Sequence, residues 1–293
     1  MQRIENETRN GLIALAAGCA FWGVVPLLYK ALDQVDAVEV LMHRVIWSSA
    51  FFAIVLAFQK RLREVPKLFV KRRERWIILL ATLMVAVNWG FFIYSVQTGR
   101  ALEASLGYFI FPLVSVLLGV FILREAISSR QGLAIGIAAL GVLVLIAGAG
   151  VIPVLGLILA ITFGLYGLLK NQVEAGPVLS VSAECLIMLP IAAVWLILFS
   201  AQGQFGATGW ETFLMVASGP ATAIPLVLFS YGAKRVSMGL AGLMFYINPI
   251  LQFLVAVFLF SEPFTLWHGI AFGFIWVAIT IYVTAPKRRK GVS

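Results

Sequence analysis

Three ionisable side chains lie inside long apolar stretches of this sequence: His43 and Arg44 in one stretch, and Glu184 in another. Charged groups inside a bilayer are costly, so those present have partners, face a cavity or lie near a helix end. A buried carboxylate or imidazole can take up and release a proton, so Glu184 or His43 is a candidate for proton exchange. The alternative is a structural pair, such as Arg44 with Glu184, that ties two parts of the chain together.

A second pattern is a repeat of prolines and glutamates. Pro249 and Glu262 follow Pro112 and Glu125, respectively, by 137 residues. The sequence therefore predicts an internal duplication, with one unit at residues 1–149 and a second at 150–293. Further matches at this offset, or at an offset of 141 near the start of each unit, are Gly132 with Gly269, Tyr94 with Tyr231, Gly23 with Gly164 and His43 with Glu184.

The two matched prolines interrupt otherwise good apolar helices. Proline lacks the backbone N–H, so Pro112 and Pro249 each free a carbonyl one turn earlier and favour a kink. Matched kinks in related helices predict a pair of hinges. The ordinary alternative is that prolines are commoner in membrane helices than in soluble ones.

Composition identifies the environment in which these helices lie. The chain has 293 residues, of which 61% are hydrophobic and 12% charged, and its mean hydropathy is +0.99. Such a chain belongs in a bilayer, where a helix needs about 20 apolar residues to cross the hydrocarbon core. Ten windows of that kind are present: 11–31, 37–58, 76–97, 101–123, 129–148, 151–170, 178–200, 210–233, 238–260 and 266–284.

The basic residues indicate how such windows would be oriented. If all ten windows cross, every one of the 22 Lys and Arg residues except Lys30, Arg44 and Arg100 lies on the side that holds both termini. Cytoplasmic segments carry an excess of Lys and Arg, so both termini are predicted to be cytoplasmic. The net charge of +9 is explained by this placement and does not predict a nucleic-acid partner.

Five crossings per unit is an odd number, so the second unit would enter the membrane from the opposite side. The predicted fold is therefore an all-α integral membrane protein of ten transmembrane helices in two inverted five-helix repeats. Inverted repeats allow two similar conformations, each open to one face, around a site near the midplane. This is the physical basis of alternating access.

Three segments also resemble a known family: EVLMHRVIWS at Glu39–Ser48, LEASLGYFIFPLVSVLLG at Leu102–Gly119 and FGFIWVAI at Phe272–Ile279. They are similar to the RarD branch of the drug/metabolite transporter superfamily, within the EamA-type ten-helix transporters. The resemblance implies a multi-pass carrier of the bacterial inner membrane. It also implies a central cavity lined mainly by helices 1, 3, 4, 6, 8 and 9, and small metabolites, amino acids among them, as solutes.

Amphipathic side chains on those helices are the candidates for the cavity wall. Aromatic faces accept apolar solutes, and hydroxyl, indole and amide groups can hydrogen-bond an amino or carboxyl group. The resemblance places helices 2 and 7 outside the cavity lining, which favours a structural role for His43, Arg44 and Glu184. The predicted cavity residues are Trp22, Asn88, Trp89, Tyr94, Tyr108, Tyr166, Tyr246 and Asn248.

The function predicted is secondary transport of small amphipathic metabolites, chiefly export or facilitated transport of amino acids, with a drug/proton antiporter as the alternative. The sequence has no P-loop, which argues against ATP-driven pumping. A membrane enzyme on lipid-linked substrates is less favoured because there is no HExxH motif and there are only two histidines, and a channel-like permease is less favoured because inverted halves with matched prolines suit alternating access. No catalytic residue, cofactor or metal is expected. The expected partners are a small-molecule substrate and the lipid bilayer, without nucleic acid. A monomer is favoured over dimerisation through the GxxxG spacings at Gly132, Gly136 and Gly269, Gly273.

Overall fold

The structure is a computed structural model that describes residues 2–123, 128–149, 152–199, 203–236 and 244–284. Its described residues form helices and connecting turns, without a β-strand. The helices are α1 (Gln2–Val24), α2 (Pro26–Lys30), α3 (Ala37–Phe58), α4 (Arg72–Gln97), α5 (Ala101–Leu123), α6 (Ser129–Ala149), α7 (Val154–Lys170), α8 (Pro177–Phe199), α9 (Gly209–Ala233), α10 (Ile247–Leu254, continued by a π-helical turn at Val255–Leu259) and α11 (Leu266–Thr284).

Length and composition show that this is a membrane protein, as predicted. Six helical segments of the described chain are long and apolar enough to cross a bilayer, and α5 is a seventh if its two bent parts form one span. The shorter apolar helices are α7, α10 with its π-helical turn, and α11. The six segments are Asn6–Lys30, Ala37–Phe58, Arg72–Gln97, Ser129–Gly148, Pro177–Phe199 and Gly209–Ala233.

The helices pack mainly across the two parts of the chain. The most extensive pairings are α6 with α11, α5 with α7, α1 with α9, α4 with α7, α3 with α9 and α3 with α8. Glycines allow some of these helices to approach closely, because a Cβ at Gly107 of α5 would overlap the backbone of Gly156 in α7. Such contacts bring backbones into van der Waals contact, which is how small residues stabilise helix pairs in lipid.

Gly136 and Gly273, one glycine from each GxxxG spacing, do not contribute to the contact between α6 and α11. A Cβ at Gly136 or Gly273 would meet no described atom within 4 Å. The two helices instead approach each other at Gly141, where a Cβ would lie 3.1 Å from the carbonyl oxygen of Ala271, and at Gly148, which faces Trp267.

The two matched prolines occupy different places in their helices. α5 bends by 44° between Ala101–Phe111 and Leu113–Ile122, so the bend lies at Pro112. Pro249 is the third residue of α10, where its missing N–H removes no intrahelical hydrogen bond. The bend at Pro112 has the cause expected from the sequence, whereas hinge motion at either proline stays a prediction. Glu125, which the predicted repeat matches with Glu262, lies outside the described residues.

Candidate functional site: an aromatic cavity inside the helix bundle

A cavity of about 130 Å³ lies inside the bundle, bordered by α1, α3, α4, α5, α7, α8, α9 and α10. Most of its wall is apolar, and aromatic rings contribute much of it. The polar side chains on the wall, apart from the tyrosine hydroxyls and the indole groups, are Arg44, Asn88, Thr222, Asn248 and Gln252. The aromatic residues on the wall are Trp22, Trp89, Phe92, Tyr108, Phe163, Tyr166 and Phe245.

One side of the wall is fixed by a hydrogen-bond network around Asn88, which is 1% exposed. Asn88 Nδ2 donates to the carbonyl oxygen of Leu159 and to Thr162 Oγ1, both at 3.0 Å. Asn88 Oδ1 accepts a hydrogen bond from the Tyr108 hydroxyl, also at 3.0 Å. Because the amide uses both its donor and its acceptor, it joins α4, α5 and α7 without an unsatisfied buried group.

A buried ion pair lies directly behind another part of the wall. Glu184 is fully buried and accepts hydrogen bonds from the Tyr166 hydroxyl at 2.9 Å and from Lys170 Nζ at 2.6 Å. Lys170 Nζ also donates to Ser180 Oγ. The partner of Glu184 is therefore Lys170 and not Arg44. The short connection between α7 and α8 makes these helices antiparallel neighbours, which brings the end of α7 beside the first turns of α8.

Arg44 points towards the cavity instead. Its side chain is 6% exposed, and its Nε donates to Thr222 Oγ1 at 2.9 Å. The guanidinium carbon lies 4.0 Å from the centre of the Trp89 ring, which is cation–π geometry. Its Nη1 has no hydrogen-bond partner among the described residues. A cation with a free N–H group on a cavity wall is a potential anion-binding group.

A second unsatisfied polar atom belongs to Gln252 on α10. Gln252 Nε2 donates to Asn248 Oδ1 at 3.0 Å, one helical turn away. Gln252 Oε1 has no partner among the described residues, although the side chain is 3% exposed. Among the fully buried polar atoms of the described wall residues, Arg44 Nη1 and Gln252 Oε1 are thus a donor and an acceptor without a partner.

His43 precedes Arg44 but lies away from the cavity. Its ring stacks on Phe205, in the connection before α9, with a centroid distance of 4.4 Å and an interplanar angle of 16°. The side chain is 5% exposed, and neither ring nitrogen has a partner among the described residues. His43 therefore packs as an aromatic ring in this structure.

Two carboxylates hold the starts of helices that form the wall. Glu262, in the turn after α10, accepts hydrogen bonds from the backbone N–H groups of Ala101 and Leu102 in α5, both at 2.7 Å. Glu103 of α5 accepts one from Leu155 N in α7 at 2.6 Å and pairs with Arg100. A carboxylate at a helix N-terminus satisfies free donors and complements the helix dipole. Burial raises the pKa of Glu262 above its ordinary value.

Six of the eight predicted cavity residues lie on the wall: Trp22, Asn88, Trp89, Tyr108, Tyr166 and Asn248. Tyr94 is 46% exposed, and Tyr246 stacks on Phe109 away from the cavity. Sequence reasoning did not find Arg44 or Gln252 as wall residues. The signal for Arg44 was present, because an arginine deep in an apolar helix usually faces a cavity or a partner. Contact of any of these residues with a solute stays a prediction.

The wall has aromatic surface, neutral hydrogen-bonding groups and one cation, so it suits a small amphipathic solute. A bundle of apolar helices around such a cavity defines a multi-pass membrane protein of the transporter class. Comparison with known proteins gives the family. The EamA-like transporter family matches residues 9–147 and 151–284, and this chain belongs to that family.

Individual relatives agree with this assignment. The "Uncharacterized transporter YojE" of Bacillus subtilis is 37% identical over 98% of both chains. The "Protein RarD" of Streptomyces exfoliatus is 38% identical over 95% of this chain and 90% of its own. A solved crystal structure that is 19% identical covers 98% of this chain and 99% of its own with a TM-score of 0.63, which supports the fold alone. The resemblance to the RarD branch of the drug/metabolite transporter superfamily is confirmed.

Proposed function

We propose that this protein is a secondary transporter of the bacterial inner membrane that carries small amphipathic metabolites by alternating access. Amino acids, aromatic ones included, are the solutes we favour, carried outward or in facilitated exchange. The observation that supports this proposal is the aromatic cavity, which has few polar groups and lies among helices from both parts of the chain. Aromatic faces bind apolar side chains, while the polar groups can orient an amino or carboxyl group.

The proposed topology is ten crossings with both termini cytoplasmic. Helix directions support it. α1 and α9 run in opposite directions, because Gly11 lies against Gly232 and Gly18 against Pro225. α5 and α7 run in the same direction, because Gly107 lies against Gly156 and Gly164 against Leu118. Ten alternating crossings would give these relations, since α1 and α9 would be crossings one and eight, and α5 and α7 crossings four and six.

The proposed inverted repeats, residues 1–149 and 150–293, are supported by the pattern of helix pairs. A duplication would relate α1 to α7, α3 to α8, α4 to α9 and α5 to α10. Under this relation, the contact between α1 and α9 corresponds to the contact between α7 and α4. The contact between α5 and α7 likewise corresponds to the contact between α10 and α1, and all four contacts are present. Two separate matches to one family are a second support. Such an arrangement provides the two related conformations that alternating access needs.

Drug/proton antiport is the second candidate, and one contact favours it. Tyr166 lies on the cavity wall and donates its hydroxyl proton to a hydrogen bond with the fully buried Glu184. A solute that displaced Tyr166 would therefore act on Glu184 directly. The ion pair with Lys170 favours the structural role instead. In either case we propose that the working unit is a monomer in the lipid bilayer, with a small-molecule substrate and no nucleic-acid partner.

Counterflow in proteoliposomes tests the proposal. Purified protein would be reconstituted with unlabelled L-phenylalanine inside, and uptake of labelled L-phenylalanine would be measured with and without a pH gradient. We expect saturable uptake that is absent from empty liposomes. Uptake that ignores the gradient would support facilitated exchange, and gradient-driven uptake would support proton coupling through Glu184. No counterflow of phenylalanine or of other amino acids would refute the proposed solute class.

A pair of variants separates the cavity from the rest of the surface. Phe163→Trp adds volume to the cavity wall, whereas Phe121→Trp makes the same change at a side chain that is 79% exposed. We expect the first variant to lower counterflow strongly and the second to leave it near the wild-type rate. Equal rates in the two variants would contradict a solute path through this cavity.

A further inference from the structure

We propose that Arg44 binds the carboxylate of the transported solute, so that the cavity selects carboxylates with an aromatic or aliphatic body, α-amino acids in particular. This inference rests on the proposed function and names the chemistry of its solute. It changes the role of Arg44 from the structural partner expected from the sequence to the principal recognition group.

The first argument is the incomplete pairing of a buried charge. Arg44 is absent from the ion pairs between described residues, and the carboxylate of Glu184 is engaged by Lys170 and Tyr166. Thr222 and the Trp89 ring satisfy only part of the guanidinium group. A buried cation with a free N–H group is costly unless something completes its shell. A carboxylate does so best, because the guanidinium fork matches its two oxygens.

The second argument is the arrangement around the charge. The guanidinium carbon lies 4.0 Å from the centre of the Trp89 ring, and the buried Nη1 of the same group has no hydrogen-bond partner among the described residues. The rest of the wall is largely aromatic and apolar. A solute that placed its carboxylate on Arg44 would therefore have its apolar part against aromatic rings, where burial is favourable.

The third argument concerns the amino group. Gln252 Oε1 is the unpaired acceptor on the same wall, and it can accept a hydrogen bond from an ammonium group. One free donor on a cation and one free acceptor complement the carboxylate and ammonium of an α-amino acid. Gln252 therefore distinguishes an amino acid from the corresponding simple carboxylate.

Three ligands of similar shape test the inference: 3-phenylpropionate has the carboxylate, phenethylamine has the ammonium, and L-phenylalanine has both. Binding would be measured by isothermal titration calorimetry on purified full-length protein in detergent micelles. Hydrogen bonds to a charged group contribute enough for about tenfold or more in affinity. We expect both carboxylates to bind wild type at least tenfold more tightly than phenethylamine does. Absence of that preference in the wild type would overturn the inference without any variant.

Variants assign the preference to single groups. Arg44→Gln should abolish the preference for carboxylates, while Arg130→Gln, which removes the same charge from an exposed position, should retain it. Gln252→Leu should remove the difference between L-phenylalanine and 3-phenylpropionate. If Arg44→Gln binds carboxylates as the wild type does, Arg44 is not the recognition group. If Arg44→Gln does not fold, the wild-type ranking and a second variant decide the matter. Thr222→Val removes the hydrogen bond that positions the Arg44 side chain and should therefore weaken carboxylate binding.

Counterflow of the same three solutes separates this inference from the proposed function. Exchange of phenethylamine but not of the carboxylates would support the transport function and overturn the proposed role of Arg44. If carboxylate binding depends on Arg44 but no solute shows counterflow, the result would support Arg44 as the recognition group and refute the transport function.

Discussion

The buried pair of Lys170 and Glu184 allows a quantitative test of its structural role. The Glu184 side chain is fully buried, and its carboxylate lies 2.6 Å from Lys170 Nζ. In the variant Lys170→Met, Glu184 would retain only the hydrogen bond from Tyr166, so a buried carboxylate would lose its charge partner. Breaking a buried pair on one side destabilises a protein by about 3–5 kcal/mol.

The double variant Lys170→Met, Glu184→Gln removes both charges and keeps an acceptor for the Tyr166 hydroxyl. Replacing a whole buried pair by neutral groups of similar volume is often close to neutral in stability. We therefore expect the double variant to be more stable than the single variant Lys170→Met, although it carries one more substitution. In a chain of this size, the expected single-variant loss lowers the unfolding midpoint by about 6–10 °C.

Thermal unfolding in detergent micelles, followed by tryptophan fluorescence, measures both effects. A loss below about 1 kcal/mol in Lys170→Met, the range of exposed ion pairs, would show that the pair does not stabilise the fold. A double variant no more stable than Lys170→Met would refute the argument that the uncompensated carboxylate is the cause. Counterflow by the double variant adds a functional readout, since a purely structural pair predicts gradient-independent transport at a near-normal rate.

Five further variants test three individual features. Gly107→Ala should destabilise the fold by about 1–3 kcal/mol in thermal unfolding, because its Cβ meets the backbone of α7, whereas Gly136→Ala should be near neutral. Pro112→Ala should slow counterflow at near-normal folded yield if the bend of α5 is a hinge, and Pro249→Ala should do the same if α10 also moves; unchanged rates would exclude the hinge. Because burial raises the pKa of Glu262, the folded state binds its proton more tightly than the unfolded state. The midpoint of wild type relative to Glu262→Gln should therefore rise as pH falls from 7.5 towards 5, and a constant difference would contradict this.

The bounds of several helices could be predicted closely from the sequence. The window 37–58 coincides with Ala37–Phe58, and the window 178–200 differs from Pro177–Phe199 by one residue at each end. Charged segments and Gly/Pro joints limit the apolar runs, and the bilayer sets their length. The spacing of Pro112 and Pro249 was visible in the sequence too. The sequence did not show that α10 begins at Ile247, which places Pro249 near the start of its helix while Pro112 lies in the middle of α5.

Side-chain direction was harder to predict than helix position. These helices are apolar on most faces, so no polar stripe shows which face of α3 contains Arg44. Lys170 is the last residue of the predicted window 151–170 and of α7, and the sequence did not show that the tight α7–α8 connection brings it to Glu184. His43 and Glu184 occupy positions that the predicted duplication matches but have unrelated surroundings, because Phe205 covers one and Lys170 neutralises the other. A sequence match between two positions therefore did not predict the partners of these side chains.

The hydrogen bond from Leu155 N to the carboxylate of Glu103 fixes the start of α7, so α7 could tilt about that end. α7 has 17 residues and is therefore about 25 Å long, with Lys170 at the far end. A tilt of about 10° around the start of α7 would move Lys170 by about 4 Å, given a rise of 1.5 Å per residue. A displacement of that size would break the 2.6 Å contact with Glu184 unless α8 or the Lys170 side chain followed the tilt. Since α8 packs on α3, a tilt of α7 would be transmitted through the contacts of Lys170 and Tyr166 with Glu184 to the helix that carries Arg44.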